Sequence, residues 1–399
     1  MQTVAQSWLV YQMTGSVVLL GTVGFASQIP VLLIAPLGGT AADRFDRRRI
    51  LLVTQSWAML LAGTLAALTL TGNIQIWQVI AIAVGFGVGN AFDIPARQAF
   101  VSDMVGREDL INAIALNSSM FNGARIVGPA IAGMLVAAVG EGWCFLGNSL
   151  SYVAVLGSLL SMKIVPAAKR ELKSAFAEIK EGFVYVATTP PIRALLLLLG
   201  LVSLAGAPYS VLMPVFASDY LGGDSGTLGF LMGCSGLGAL AAALTLASRK
   251  HVFGLGKWVA MACGALGSFL ILFSLSRNVA LSALILIPVG FAMMTEMAAS
   301  NTLVQAMVPD ELRGRVMSVY SMMFMGFAPI GSLLAGTIAG IMGPAETVAI
   351  GGVVCIAGAI FFALRLPVLG PQGREMIVSM QMSGGEPASK AIAQVPKRM

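Results

Sequence analysis

The sequence predicts an all-α integral membrane protein that crosses the bilayer about a dozen times. Three observations predict it: apolar runs of spanning length, positive charge confined to alternate loops, and an internal repeat that divides the chain in two. The chain is 57% hydrophobic and 11% charged, with a mean hydropathy of +0.87. Soluble domains carry roughly 25% charged residues, because any soluble fold needs a polar surface. The charge deficit therefore points to lipid as the surrounding solvent.

Apolar runs long enough to span lie at 17–40, 50–71, 76–101, 112–138, 142–163, 191–218, 226–247, 257–276, 279–305, 314–342 and 346–366. Residues 1–13 read as the last part of a further span. At about 1.5 Å per residue that stretch reaches about 20 Å, short of the roughly 30 Å hydrocarbon core. The first span is thus truncated as written, and a chain that truly starts at Met1 is expected to be an impaired transporter. No basic segment precedes the first apolar run, so it does not read as a signal peptide. Mid-span Pro and Gly are compatible with membrane helices, whose neighbours satisfy freed backbone groups.

Charge sets the orientation. With the 43–49 loop (DRFDRRR) in the cytoplasm, all 24 Lys and Arg except Arg277 and Arg125 fall on the cytoplasmic side. The opposite loops hold Glu141, Asp219, Asp224 and Glu346. This predicts a multi-pass chain with its C-terminus in the cytoplasm.

A polar break at 164–190 separates two bundles, an N-terminal one over 1–163 and a C-terminal one over 191–367. Phe176, Ile179, Phe183 and Val184 recur at helical spacing in the break, which predicts an interfacial amphipathic helix; a solvated linker is the other reading. Residues 368–399 are polar and rich in Gly, Pro and Ser, and predict a disordered cytoplasmic tail. A shift of 203 residues places Met120-Phe121-x-Gly123 on Met323-Phe324-x-Gly326, and Gly128, Ala132, Gly133 and Gly140 on Gly331, Ala335, Gly336 and Gly343. Parallel repeats of this kind occur in transporters whose halves rock about a midplane site.

Several chemistries are absent from the sequence. No phosphate-binding G-x-x-x-x-G-K-[ST] loop occurs, and Gly85-Phe86-Gly87-Val88-Gly89 lies inside a span, where small residues serve helix packing. Cys144, Cys234, Cys263 and Cys355 are far apart and apolar in setting, and His251 is the single histidine. No metal site, disulfide framework, cofactor or enzyme activity is expected. The net charge of +6 sits in short loops without interleaved aromatics, so nucleic acid is not an expected partner. Met293, Met294, Met297, Met317, Met322, Met323 and Met325 cluster in two spans, either as an adaptable substrate surface or as ordinary packing.

The loop after the second span reads Gly39-x-x-x-Asp43-Arg44-Phe45-Asp46-Arg47-Arg48. A positive-inside anchor explains its arginines but not its aspartates. Here the chain resembles the major facilitator superfamily, whose loop motif G-x-x-x-D-R-x-G-R-R/K it matches except for Asp46 in place of Gly. The stretch 93–133 (DIPARQAFVSDMVGREDLINAIALNSSMFNGARIVGPAIAG) resembles the branch containing the enterobactin exporter, the transmembrane secretion effectors. The resemblance implies a twelve-helix fold of two pseudo-symmetric six-helix halves and a cytoplasmic latch. In that latch Asp43 would sit near the start of the eleventh span and pair with Arg97; the Asp46 departure bears on the tight turn. Gly123, Gly128, Pro129 and Gly133 resemble the antiporter motif of superfamily exporters, implying a bend and close packing at the interface between halves.

Charges within spans are costly and are functional candidates. They are Asp93, Arg97, Arg125 and Glu296, and the same shift of 203 relates Asp93 to Glu296. Both are expected near mid-membrane, in spans that line the central cavity of the resembled fold. Two readings stand for Asp93: a proton-titrating carboxylate, or one simply neutralised by Arg97 at i+4. Glu296 has no basic residue nearby in sequence, and Arg125 either pairs with Asp93 or attracts an anionic substrate. The expected function is secondary active transport, with proton-coupled efflux of a small siderophore or lipophilic drug-like molecule by a monomer in the lipid bilayer. An importer or facilitator of the same fold, or a non-transporting receptor or scaffold, is the alternative.

Overall fold

A computed structural model describes residues 2–105, 110–162, 175–249 and 252–382. Its helices are α1 (Gln2–Thr14), α2 (Val17–Arg44), α3 (Arg47–Leu70), α4 (Ile76–Met104), α5 (Leu110–Val139) and α6 (Glu141–Ser161). After the short α7 (Ala175–Thr188) come α8 (Pro190–Tyr220), α9 (Ser225–Ala247), α10 (Leu255–Leu275), α11 (Val279–Met307), α12 (Asp310–Met342) and α13 (Pro344–Met382). Ten of these are long and apolar enough to cross a membrane. With the 30-residue α5 and the 13-residue α1 they make the twelve membrane helices of the expected fold.

Helix starts follow their sequence signals. Ser16, Asp46, Asp224 and Asn278 each accept a backbone N–H from the first turn of α2, α3, α9 and α11. Each satisfies a donor that the helix itself cannot. Asp46 thereby explains its place in the loop: it caps α3 at φ −60°, a conformation that asks nothing of glycine. The tight turn of the motif is here a helix start.

Two stretches differ from the sequence expectation. The run 191–218 is one span, Pro190–Tyr220, but π turns at Val202–Gly206 and Phe216–Tyr220 interrupt it. Pro208 and Pro214 have no N–H to donate, so the ladder shifts to wider pairings such as Ala207 N–H to the Val202 carbonyl. The expected tail begins too early, because α13 continues to Met382 through Pro367 and Pro371. An apolar stripe of Leu366, Leu369, Met376 and Ile377 holds that extension against the core, a 3.6-residue pattern hidden among its prolines and glycines. Residues 383–399 of that tail lie outside the described residues. In the break, α7 is helical over Ala175–Thr188, with Phe183 and Val184 exposed and Gly182 and Val186 buried. Arg315 of α12 explains this: its carbonyl lies against Gly182, and its guanidinium bridges Glu181 at 2.7 Å. The side chains of Phe176 and Ile179 and the residues 163–174 lie outside the described residues.

Packing repeats as the sequence does. Helix α2 packs on α4 and α3 on α6, while α9 packs on α11 and α10 on α13. The first six helices meet the last six mainly along two seams, α2 with α12 and α5 with α9. Glycines make both seams close. A Cβ on Gly133 would stand 2.4 Å from the Gly229 Cα, and one on Gly336 would stand 2.8 Å from the Gly21 Cα. Gly133 and Gly336 are repeat equivalents, as are Gly140 and Gly343, which turn the chain at φ 84° and 106°. Both pairs of glycines lie near the end of the bundle that carries the acidic loops. There the Tyr11 hydroxyl also donates to Asp219, tying α1 to α8.

Candidate functional site

The two repeat-equivalent carboxylates occupy contrasting surroundings. Asp93 on α4 is 5% exposed, and four hydrogen bonds hold it. Its Oδ1 accepts from Thr54 Oγ1 at 3.0 Å and Gln55 Nε2 at 2.6 Å, both on α3. Its Oδ2 accepts from Arg97 Nε at 3.0 Å and Nη2 at 2.6 Å. The carboxylate lies in a cavity of about 250 Å³ between α3, α4 and α6, whose polar lining includes Asn90, Asn148 and Ser151. Such a set of donors meets an ionised carboxylate well.

Glu296 on α11 is wholly buried. Its Oε1 accepts from Ser300 Oγ at 3.2 Å, while Oε2 has no partner among the described residues. Thr295 Oγ1 beside it is also unpartnered. Cys263 of α10 and Tyr320 of α12 are its titratable neighbours, and the Tyr320 hydroxyl is turned to the Met297 carbonyl at 2.9 Å. The i+4 neighbour makes the contrast: arginine at 97 in one repeat, serine at 300 in the other. An ionised carboxylate at Glu296 would lack the compensation that Asp93 has, and uncompensated charge in a low-dielectric interior costs several kcal/mol, on the order of what breaking a buried pair costs.

The basic loop ties helices of the first six together. Arg47 donates to Asp103 at 2.7 Å and to the carbonyls of Ala42 and Ala99, joining α3 to α2 and α4. Arg48 donates to the Leu159 and Leu160 carbonyls, both at 2.7 Å, and so closes the end of α6. A small core of Ala42, Leu51, Ala96, Phe100 and Leu159 lies among the same helices. Arg44 and Gly39 stand at the end of α2, and the space beside Gly39 is open. Arg97 reaches Asp93; its expected partner Asp43 has a side chain outside the described residues, as has Arg125.

Among the helix-5 residues, Gly133 is in the α5–α9 seam and the Pro129 carbonyl faces Gly229. Among the described residues, nothing lies within 4 Å of a Cβ built on Gly123 or Gly128. The sequence reading did not single out Thr54 and Gln55; a polar pair inside an apolar span was the available signal. The Tyr11–Asp219 tie had no such signal, because both residues sit near helix ends where polar groups are ordinary.

Comparison with known proteins agrees with this architecture. The profile of the family described as transmembrane secretion effector matches residues 1–388. The staphyloferrin A transporter of Staphylococcus aureus is 27% identical over 362 residues, covering 90% of this chain and 91% of that one. The multidrug efflux pump Tap of Mycolicibacterium fortuitum is 27% identical over 377 residues, covering 92% and 88%. The enterobactin exporter EntS of Shigella boydii is 25% identical over 319 residues, covering 79% and 76%. Among solved structures, the nucleoside transporter NupG superposes with a TM-score of 0.69 at 13% identity, covering 91% of this chain and 93% of that chain.

Proposed function

We infer direction and driving ion from one premise: this chain belongs to the transmembrane secretion effector family of major facilitator transporters, a family of transporters and not of enzymes. The reading is proton-coupled export of a small molecule, siderophore or lipophilic drug-like, by alternating access of one chain. The observation that carries the coupling is Glu296, buried with one carboxylate oxygen unpartnered among the described residues. Taking up a proton removes the charge that this site does not compensate, and a turn of α11 toward water would release it. Asp93, already met by Arg97, Thr54 and Gln55, serves in this reading as a fixed ion pair that braces α3 on α4.

Sidedness belongs to the same reading. The concentration of Lys and Arg at the end of the 43–49 loop argues for that end in the cytoplasm of a bacterial inner membrane, with the C-terminus there too. The seams at the acidic end then close the outer side. The staphyloferrin A and enterobactin relatives favour a siderophore, and the multidrug relative a lipophilic compound. Arg125 and the latch pairing of Asp43 remain in the proposal as substrate and conformational contacts.

Inside-out vesicles with an acidic interior test it. Enterobactin, staphyloferrin A or the lipophilic cation ethidium should accumulate, and an uncoupler and Glu296→Gln should each abolish the gradient-driven part. Accumulation that ignores the uncoupler removes proton coupling. Gradient-driven accumulation that survives Glu296→Gln removes that residue's role, and accumulation only in right-side-out vesicles makes the chain an importer.

A further inference from the structure

At the basic end of the last six helices, two apolar grooves flank α13. The larger, about 720 Å³, lies between α13, α10, α11 and α8, and is lined by Leu195, Phe253, Leu303, Met307 and Phe362. Gly373 makes the close approach: a Cβ there would stand 3.2 Å from the Met307 Sδ and 3.9 Å from the Pro191 Cβ. The second groove, about 500 Å³, runs between α8 and α13, and shares Phe362 and Leu369 with the first. Each groove carries two cations, Lys257 and Arg374 in the first and Arg193 and Arg365 in the second.

Among the described residues the ion pairs use Arg47, Arg49, Arg97, Arg313 and Arg315, and none of these four. Arg374 lies over the Phe253 ring at 5.4 Å and Arg365 over the Phe361 ring at 5.3 Å, while Arg193 donates to the Ala187 carbonyl at 3.0 Å. The three arginines thus spread their charge over aromatic faces and a carbonyl, and Lys257 is exposed in the lining of the larger groove. The combination is a narrow hydrocarbon-lined groove with paired cations at the mouth.

We propose that these grooves bind an anionic phospholipid, its acyl chains lying in the grooves on either side of α13 and its phosphate held by Lys257 and Arg374. Basic pockets between membrane helices suit lipid headgroups, since the bilayer supplies acyl chains to the groove and anionic phosphate to the rim. The chain's own segment 383–399 is a poor occupant, because it sets Lys390, Lys397 and Arg398 against a single Glu386 and would bring like charge to the mouth. A free phosphate would use the cations and leave the groove empty. The proposal does not depend on what the protein transports or on which side the basic end faces.

Native mass spectrometry of the whole protein in detergent reads lipid retention. Phosphatidylglycerol should be retained and phosphatidylcholine with identical acyl chains should not. Each cation near a membrane surface contributes roughly a fivefold factor, so K257Q/R374Q should bind phosphatidylglycerol about 30-fold more weakly. Ala363→Trp keeps every charge and fills the larger groove from an exposed lining position, and should weaken retention as well. R249Q removes a cation that stacks on Trp258 at 4.6 Å outside both grooves, and should bind normally. Glycerol phosphate in excess should not displace the lipid. Equal retention of the two lipids, equal loss in R249Q, undiminished binding in Ala363→Trp, or displacement by glycerol phosphate would each overturn the proposal.

Discussion

Replacing Gly229 by alanine tests whether the α5–α9 seam sets the conformation seen here. The new Cβ would stand 2.6 Å from the Gly133 Cα and 2.9 Å from the Pro129 carbonyl oxygen. Carbon atoms prefer about 3.5–4.0 Å, so the two backbones must part by about 1 Å. Both near atoms are main chain, with no rotamer to relieve the contact. Overpacking of this kind costs about 1–3 kcal/mol, which against a state with the seam open is a factor of roughly 5–150. Spin labels at Asn73 and Met342, on exposed positions at the acidic ends of α3–α4 and α12, report the separation by pulsed electron paramagnetic resonance. The four native cysteines are buried and leave the labels unambiguous. The ratio of the short-distance to the long-distance population should fall by that factor. Gly128→Ala is the control, since among the described residues nothing lies within 4 Å of its Cβ position. A Gly229→Ala protein that is folded and shows the parent distance distribution would refute the seam as the determinant of this state.

Three further outcomes follow from the same geometry. Arg97→Gln leaves Asp93 buried without its cation, so it should lower thermal stability in detergent by more than the double change with Asp93→Asn; the difference should be about 1–3 kcal/mol, and additive losses would show that the pair is not coupled. Asp46→Gly should cost α3 a few tenths of a kcal/mol and Asp46→Ala about 1 kcal/mol, read as a shift of the unfolding midpoint, with Asp46→Asn near parent. Backbone hydrogen bonds from Thr227 hold the Asp224 carboxyl below its ordinary range, so its cap is intact above that range and is lost as pH falls through the folded-state value; hydrogen exchange in the first turn of α9 should rise on acidification in the parent and be pH-insensitive, beyond its intrinsic rate, in Asp224→Ala.

Much of the fold was legible because the bilayer leaves the sequence few choices. Span length, loop charge and the repeat each report a constraint imposed by lipid, and they agree on twelve helices. What escaped detection was side-chain partnership. The i+4 neighbours of Asp93 and Glu296, Arg97 and Ser300, could be read along the chain, but not that Thr54 and Gln55 reach Asp93 from α3. How fully a buried charge is met depends also on the neighbouring helix, about which periodicity along one helix carries no information. The continuation of α13 was hidden for a related reason. Pro367, Pro371 and Gly373 read as breakers locally, but α11 and α8 supply the surface that holds them in a helix.

The distribution of close contacts and charges gives the molecule two mechanical parts. The arginines of the 43–49 loop fasten α2, α3, α4 and α6 to one another, and Asp93 with Arg97 braces the same group from within. These ties lie inside the first six helices and can persist while the two sets of helices move. The seams between the sets are made differently, from glycine against glycine and backbone against backbone, with few polar partners to exchange. Such a surface can part without leaving buried charge unpaired, which keeps the cost of parting within the range of packing terms. Among the described residues Tyr11 with Asp219 is a polar exception, and it lies at an exposed position where water can replace either partner. Rigid groups joined by close but uncharged seams are what rocking about a midplane site requires.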